Sequence, residues 1–155
     1  VAIDREAKKG HNVYKLPIPH TEGKYDYSFS GLKTAVINLI HNASQKGEQL
    51  PVADLSASFR KAVVDCLLKN VILAMNDTNY KKLVIAGGVS ANSLLRRRLQ
   101  QECKEKGWEI HMPALNLCGD NAAMVGAQAY YEFLAGKIAG MDLNACAAMP
   151  IDNNF

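Results

Sequence analysis

Two glycine-bearing turns hold the residues best suited to chemistry. The first is Ala86-Gly87-Gly88-Val89-Ser90-Ala91-Asn92. A glycine pair lets a ligand approach the backbone, and a helix N-terminus beyond it offers free N–H groups to an anion or polar ligand. The Asn92 amide stands where it could hydrogen-bond a nucleobase or ribose. Its other use, with Ser90, is to cap the helix. The second turn is Cys118-Gly119-Asp120-Asn121. Asp120 is a candidate metal ligand or base, but on the residues alone the favoured reading is an N-cap for a final helix.

Other constellations are less specific. His11, His20, His41 and His111 include no i, i+4 pair, so a metal site built wholly from this chain is not expected. Arg96-Arg97-Arg98, Arg60-Lys61 and Lys104–Lys106 are basic, but consecutive arginines on a helix point in different directions. A solvated face is their expected fate, and a phosphate backbone the alternative partner. Tyr25–Thr34 reads as a rigid entry into a helix, with Phe29 able to pack inward. No Ser/His/Asp or Cys/His set and no Walker-type loop emerges.

The elements that must position these residues follow from periodicity. Residues 1–9 read as the end of a helix stopped by Gly10. Residues 11–29 are irregular, broken by Pro17 and Pro19, with Val13–Leu16 a candidate edge strand. Ser28 and Ser30 are candidate caps for a helix striped by Leu32, Ala35, Val36, Leu39, Ile40 and Ala43. A long helix follows over about 52–75, its face formed by Leu55, Phe59, Ala62, Val63, Cys66, Leu67, Val71 and Ala74. Leu83–Ala86 is a short apolar run, as in a strand buried on both faces. The helix opened by Ser90 and Asn92 has Ala91, Leu94, Leu95, Leu99 and Cys103 as its apolar positions and closes at Gly107. Trp108–Met112 alternates as a second strand, so the unit reads as a parallel βαβ. A last helix, about 120–135, is rich in small residues and should lie tight against the sheet.

Composition sets the outer bounds. The chain has 155 residues, is 48% hydrophobic and carries a formal charge of +3, which fits an ordinary globule and excludes a disordered tail. Cys66, Cys103, Cys118 and Cys146 form no Cys-x-x-Cys pair and read as reduced thiols of a cytosolic protein. No apolar run reaches membrane-spanning length. The chain begins at Val1 inside an apparent helix, which reads as a piece of a longer protein.

Three stretches taken together resemble one family. They are Asp26-Tyr27-Ser28-Phe29-Ser30-Gly31-Leu32-Lys33-Thr34, Gly87-Gly88-Val89-Ser90-Ala91-Asn92-Ser93-Leu94-Leu95-Arg96, and Cys118-Gly119-Asp120-Asn121-Ala122-Ala123-Met124. In order and spacing they look like the C-terminal half of the universal tRNA threonylcarbamoyladenosine transferases, also labelled glycoproteases. The resemblance covers nearly all of residues 1–135. It implies an α/β partial lobe of the actin/hexokinase-like ATPase fold, as a single fragment with its core at 1–135 and a tail at 136–155.

It also implies roles. Asp120 matches the family's metal-binding aspartate. Asn92, after Gly87 and Gly88, matches a nucleotide-contacting asparagine. Asp4, in Ala2-Ile3-Asp4, matches an aspartate of the pattern Gly-Gly-Pro-x-Ile-Asp that also faces the nucleotide. The implied cofactors are one divalent metal, iron or zinc, and an adenine nucleotide, threonylcarbamoyl-AMP. The implied partners are tRNA, accessory proteins of the same pathway and an N-terminal lobe, in the cytoplasm and without a membrane. The family's His-x-x-x-His motif and Ser-Gly-Gly hairpin are not among these residues. Two other readings stay open: a nucleotide-binding ATPase or sugar kinase of the same fold, and a non-enzymatic interaction module. Endopeptidase machinery is not visible.

Overall fold

A computed structural model of the chain describes residues 2–18, 21–145 and 147–148. His20 and Cys146, named above, lie outside them. The backbone divides into two compact units between Cys118 and Gly119. In order, the elements are α1 (Ala2–Ala7), α2 (Ser30–Gln45), α3 (Val52–Thr78), β1 (Lys82–Val84), α4 (Ser93–Lys106), β2 (Glu109–His111) and α5 (Ala122–Leu134). Single 3₁₀ turns at Gly88–Ala91 and Leu115–Leu117 follow β1 and β2.

The 27-residue α3 is the spine of the first unit. At 1.5 Å per residue it runs about 40 Å. The segment before α2 lies along it as a strap. His11 N–H donates to Asp54 Oδ1 at 2.7 Å, and the Val13 and Tyr14 N–H groups both donate to Ser58 Oγ at 3.1 and 3.0 Å. Further along, Tyr27 Oη donates to the Leu67 carbonyl, Asn70 Nδ2 to the Asp26 carbonyl, and Tyr25 Oη to Asp77 Oδ2. Val13–Leu16 is therefore not a strand, because a helix serine takes two of the amide protons a ladder would use. Gly10 sits hard against the start of α3: a Cβ there would stand 2.2 Å from the Ala53 carbonyl carbon. Only glycine fits.

The core lies where α3 and α4 cover one face of the sheet. Val64 and Leu68 from α3 meet Leu95 and Leu99 from α4, and Leu83, Ile85 and Ile110 pack onto them. Met75, Cys103 and Trp108 extend it, sharing Val71, Leu83 and Ile110. β1 and β2 are parallel, with Leu83 opposite Ile110, so both side chains of that pair enter the core. Across the α3–α4 contact, Asp65 pairs with Lys61 of its own helix and accepts from Arg98 Nη1 at 3.3 Å.

Several expectations are corrected here. The apolar run at 83–86 does not form a strand buried on both faces: β1 is Lys82–Val84, and Val84 is 70% exposed. Helices cover one side of this two-stranded sheet and leave the other open. α3 buries Val64, Leu68 and Met75, which the sequence stripe omitted, because strap, α1 and α4 pack on different sides of it. Neither Ser28 nor Ser30 caps α2; Phe29 holds the N-cap position without a side-chain bond. Phe29 stacks on Tyr27 at 6.3 Å instead of packing inward. α5 belongs to the second unit and, described by itself, buries none of its residues. Its small side chains permit close approach, but only a partner surface turns that into burial.

Cys66, Cys103 and Cys118 are buried free thiols. Among the described residues, no helix is long and apolar enough to cross a membrane.

Candidate functional site

Helix α1 is short, and its packing on α3 fixes Asp4. Arg60, from the middle of α3, donates from Nη1 to Asp4 Oδ1 at 3.1 Å and from Nη2 to the Ala7 carbonyl at 3.2 Å. Ser93, in the first turn of α4, donates from Oγ to the same Asp4 Oδ1 at 3.1 Å. Lys8 Nζ stands 3.7 Å from Oδ2. Burial pushes the Asp4 carboxyl up, but the hydrogen bonds from Arg60 and Ser93 and the guanidinium charge prevail and hold it below the usual 3.8.

A sign follows. A depressed native pKa contributes stability above the unfolded pKa that is lost as pH falls through the native one. The stability gap between wild type and Asp4→Asn is thus expected to be constant near neutrality and to shrink below about pH 4. Thermal melts between pH 7 and pH 3 check this, and a gap that widens on acidification contradicts it.

The loop after β1 supplies the facing wall. Ile85 N–H still bonds the His111 carbonyl at 3.1 Å, and the chain then turns at Gly87, with φ 79° and ψ 169°. That conformation is essentially restricted to glycine and costs other residues about 1–3 kcal/mol. A Cβ at Gly87 or Gly88 would meet nothing within 4 Å. Gly87→Ala is therefore expected to destabilise by about 1–3 kcal/mol through the backbone alone. Gly88→Ala, which lacks the positive φ, should cost less in the ligand-free protein. Equal losses in denaturant unfolding would contradict this difference.

Asn92 fills the capping role. Its Oδ1 accepts from Leu94 and Leu95 N–H at 3.1 and 3.0 Å, capping α4. Among the described residues its Nδ2 has no hydrogen-bond partner, so two donors remain available for a ligand. Ser90 does not cap: it is buried, and its Oγ lacks a partner among the described residues.

These walls enclose an open cleft of about 620 Å³. Asp4, Gly88 and Asn92 line it, so three sequence candidates converge. Val89 and Ala91 after β1 and Leu115 after β2 reach it too, bringing both post-strand loops to one cleft. Phe59 and Val63 supply an apolar floor, while Arg5, Lys8 and Arg60 outnumber Asp4 and favour an anionic ligand.

Asp120 belongs to the second unit and is described there by itself. It is exposed, and among the described residues it makes no hydrogen bond or ion pair. It is not the N-cap of α5: Asn121 is, accepting from Met124 N–H at 3.0 Å. Among the described residues no group of three His, Cys, Asp or Glu is placed to hold a metal.

The arginine triplet departs from a simple solvated face. Arg96 donates to the Ser90 carbonyl at 3.0 Å, the Pro113 carbonyl at 2.6 Å and Cys118 Sγ at 3.4 Å, tying together the loops after the two strands. Arg98 pairs with Asp65. Arg97 alone of the three is exposed.

A sequence profile of the family described as TsaD, tRNA N6-adenosine threonylcarbamoyltransferase, matches residues 1–127. The chain belongs to the TsaD family. It is similar to the tRNA N6-adenosine threonylcarbamoyltransferase of Limosilactobacillus reuteri, with 46% identity over 153 residues, covering 97% of this chain and 45% of that protein. A protein of the same name from Clostridium botulinum is 44% identical over 145 residues, covering 92% of the chain and 43% of that protein. One from Caldicellulosiruptor saccharolyticus is 43% identical over 145 residues, covering 93% and 43%. The chain thus spans less than half the length of these curated relatives. The TsaD family has the actin/hexokinase-like ATPase fold, consistent with the helix-rich unit and its short parallel sheet.

Sequence reasoning missed Arg60, which lines the cleft, Ser93, which bonds Asp4, and Arg96, which ties the two post-strand loops. Their only signal was position: a cation between Phe59 and Val63, and two polar residues in the first turn after Asn92.

Proposed function

We propose that this chain supplies the C-terminal-lobe side of the active cleft in a transferase that moves a threonylcarbamoyl group from threonylcarbamoyl-AMP to the adenosine beside the anticodon of tRNA. The observation that carries this reading is the convergence of Asp4, Gly88 and Asn92 on one cationic cleft. The Asn92 amide donates to the base or ribose, Asp4 accepts from a hydroxyl, and the glycine turn admits the nucleotide against the backbone.

In the transfer, the adenosine N6 attacks the carbamoyl carbon and a C–N bond forms. The C–O bond to phosphate breaks, AMP leaves with the electron pair, and N6 gives up a proton. Holding AMP rigidly keeps the carbamoyl carbon in reach of the amine, which lowers the entropic part of the barrier. The family resemblance adds one divalent metal, iron or zinc, with Asp120 as a ligand. One carboxylate does not make a metal site. The described residues alone do not fit the ion, so no step is routed through it; its other donors would come from an N-terminal lobe. On the same reading the protein is cytoplasmic, and accessory proteins of the pathway assist it. Arg97 is the member of the arginine triplet left to meet the tRNA backbone, since Arg96 and Arg98 are engaged.

The test is transfer of label from threonylcarbamoyl-AMP carrying radioactive threonine to tRNA by the full-length protein with its accessory proteins. Labelled tRNA is expected, with a loss of about 10- to 100-fold on Asn92→Ala, the worth of a neutral hydrogen bond plus positioning. ATP-dependent phosphorylation of a sugar without tRNA labelling would favour the kinase reading instead.

A further inference from the structure

Asp4 is held by two groups from two different helices. Arg60 of α3 reaches Oδ1 at 3.1 Å, and the same guanidinium binds the Asp4 carbonyl at 3.5 Å and the Ala7 carbonyl at 3.2 Å. This pins both the carboxylate and the C-terminal end of α1. The ion pair is largely buried, with 14% of the Arg60 side chain and 18% of the Asp4 side chain exposed. Ser93 Oγ delivers the second bond to Oδ1 at 3.1 Å. Oδ1 is thereby committed, while Oδ2 stands 3.7 Å from Lys8 Nζ, on a side chain that is 60% exposed; the Ser93 backbone N–H adds to the hold on the charged carboxyl.

Ser93 follows Asn92 directly. One helix start therefore fixes the asparagine that presents Nδ2 and the serine that orients Asp4. The separation between a donor and an acceptor in the cleft is set by a single rigid turn, and Arg60 supplies the opposing grip from α3.

We infer that Arg60 and Ser93 are positioning residues that hold the Asp4 carboxylate in one rotamer, with Oδ2 kept as the acceptor for a hydroxyl of the bound nucleotide. The inference rests on the nucleotide reading above. Neither residue needs to touch the ligand. Their loss should act on discrimination between nucleotides with and without that hydroxyl.

The test is calorimetric titration of the full-length protein with AMP, 2′-deoxy-AMP and 3′-deoxy-AMP. The wild type should bind AMP about 10-fold or more tighter than at least one deoxy analogue, as expected for a bond to a charged acceptor. In Arg60→Gln the AMP affinity should fall and the ratio should collapse toward one. Arg60→Lys, which keeps charge without the two-pronged grip, should recover only part of it. Ser93→Ala leaves the α1–α3 tie intact and should lower the ratio with little change in Tm, so it decides the matter if Arg60→Gln does not fold. A merely structural role would lower Tm and leave the ratio unchanged. A wild-type ratio retained in folded Ser93→Ala and Arg60→Lys overturns this inference alone. A wild type that binds no AMP, or does not discriminate, overturns the nucleotide role of Asp4 and this inference with it.

Discussion

Replacing Asp120 with asparagine is expected to cut threonylcarbamoyl transfer by the full-length protein by about 100-fold or more, with almost no change in stability. On the proposed reading Asp120 is one of the few donors of a site completed by an N-terminal lobe, and a 100-fold loss corresponds to about 2.7 kcal/mol, each 1.36 kcal/mol being a factor of ten. Asp120 is exposed and, among the described residues, makes no bond that asparagine would break. Surface changes of that kind stay within about 0.5 kcal/mol. The adjoining residue should behave in the opposite way. Asn121→Ala removes the bond that caps α5, which costs about 1 kcal/mol of helix stability. Rate assays and melts on both variants separate the two roles. An Asp120→Asn enzyme of wild-type activity would remove Asp120 from the reaction.

Leu99→Ala should produce the largest stability loss. Leu99 is 2% exposed and packs in the cluster with Val64, Leu68 and Leu95. Truncating a buried leucine in such a contact costs about 2–5 kcal/mol, the lost transfer energy plus the cavity left behind. A domain's whole stability is only about 5–15 kcal/mol. The damage should be local, because Leu99 joins α4 to α3 beneath the sheet that carries the Gly87 turn. Hydrogen exchange in the full-length protein should show the opening free energy of α4 amides falling by that amount. A loss below about 1 kcal/mol would mean that the α3–α4 contact is not the core.

What could be read in the sequence was whatever local rules determine. The 3.6-residue stripes located α2, α3 and α4, and the strand–glycine–helix–strand order gave the parallel pair. α3 runs past the expected 75 to Thr78, where Asn79, left-handed at φ 55°, caps it. Asn92 was visible as the cap of α4. What was not legible depended on contacts between distant segments. The second face of β1 looked buried because Val84 is apolar, yet nothing in this unit covers it. Arg96 and Arg98 looked solvated because a triplet on a helix has no common direction. Only the fold shows that two of those directions meet loop carbonyls and Asp65. Arg60 was hidden for the same reason, since Asp4 is 56 residues away in sequence.

The central claim is that an adenine nucleotide sits between α1 and the Gly87–Asn92 turn. The direct measurement is photo-crosslinking of the full-length protein with an azido-adenosine monophosphate, followed by peptide mapping. Label within residues 2–8 or 87–93, displaced by excess AMP and lost in Asn92→Ala, is the expected result. Displaceable label confined to peptides outside these segments would contradict it.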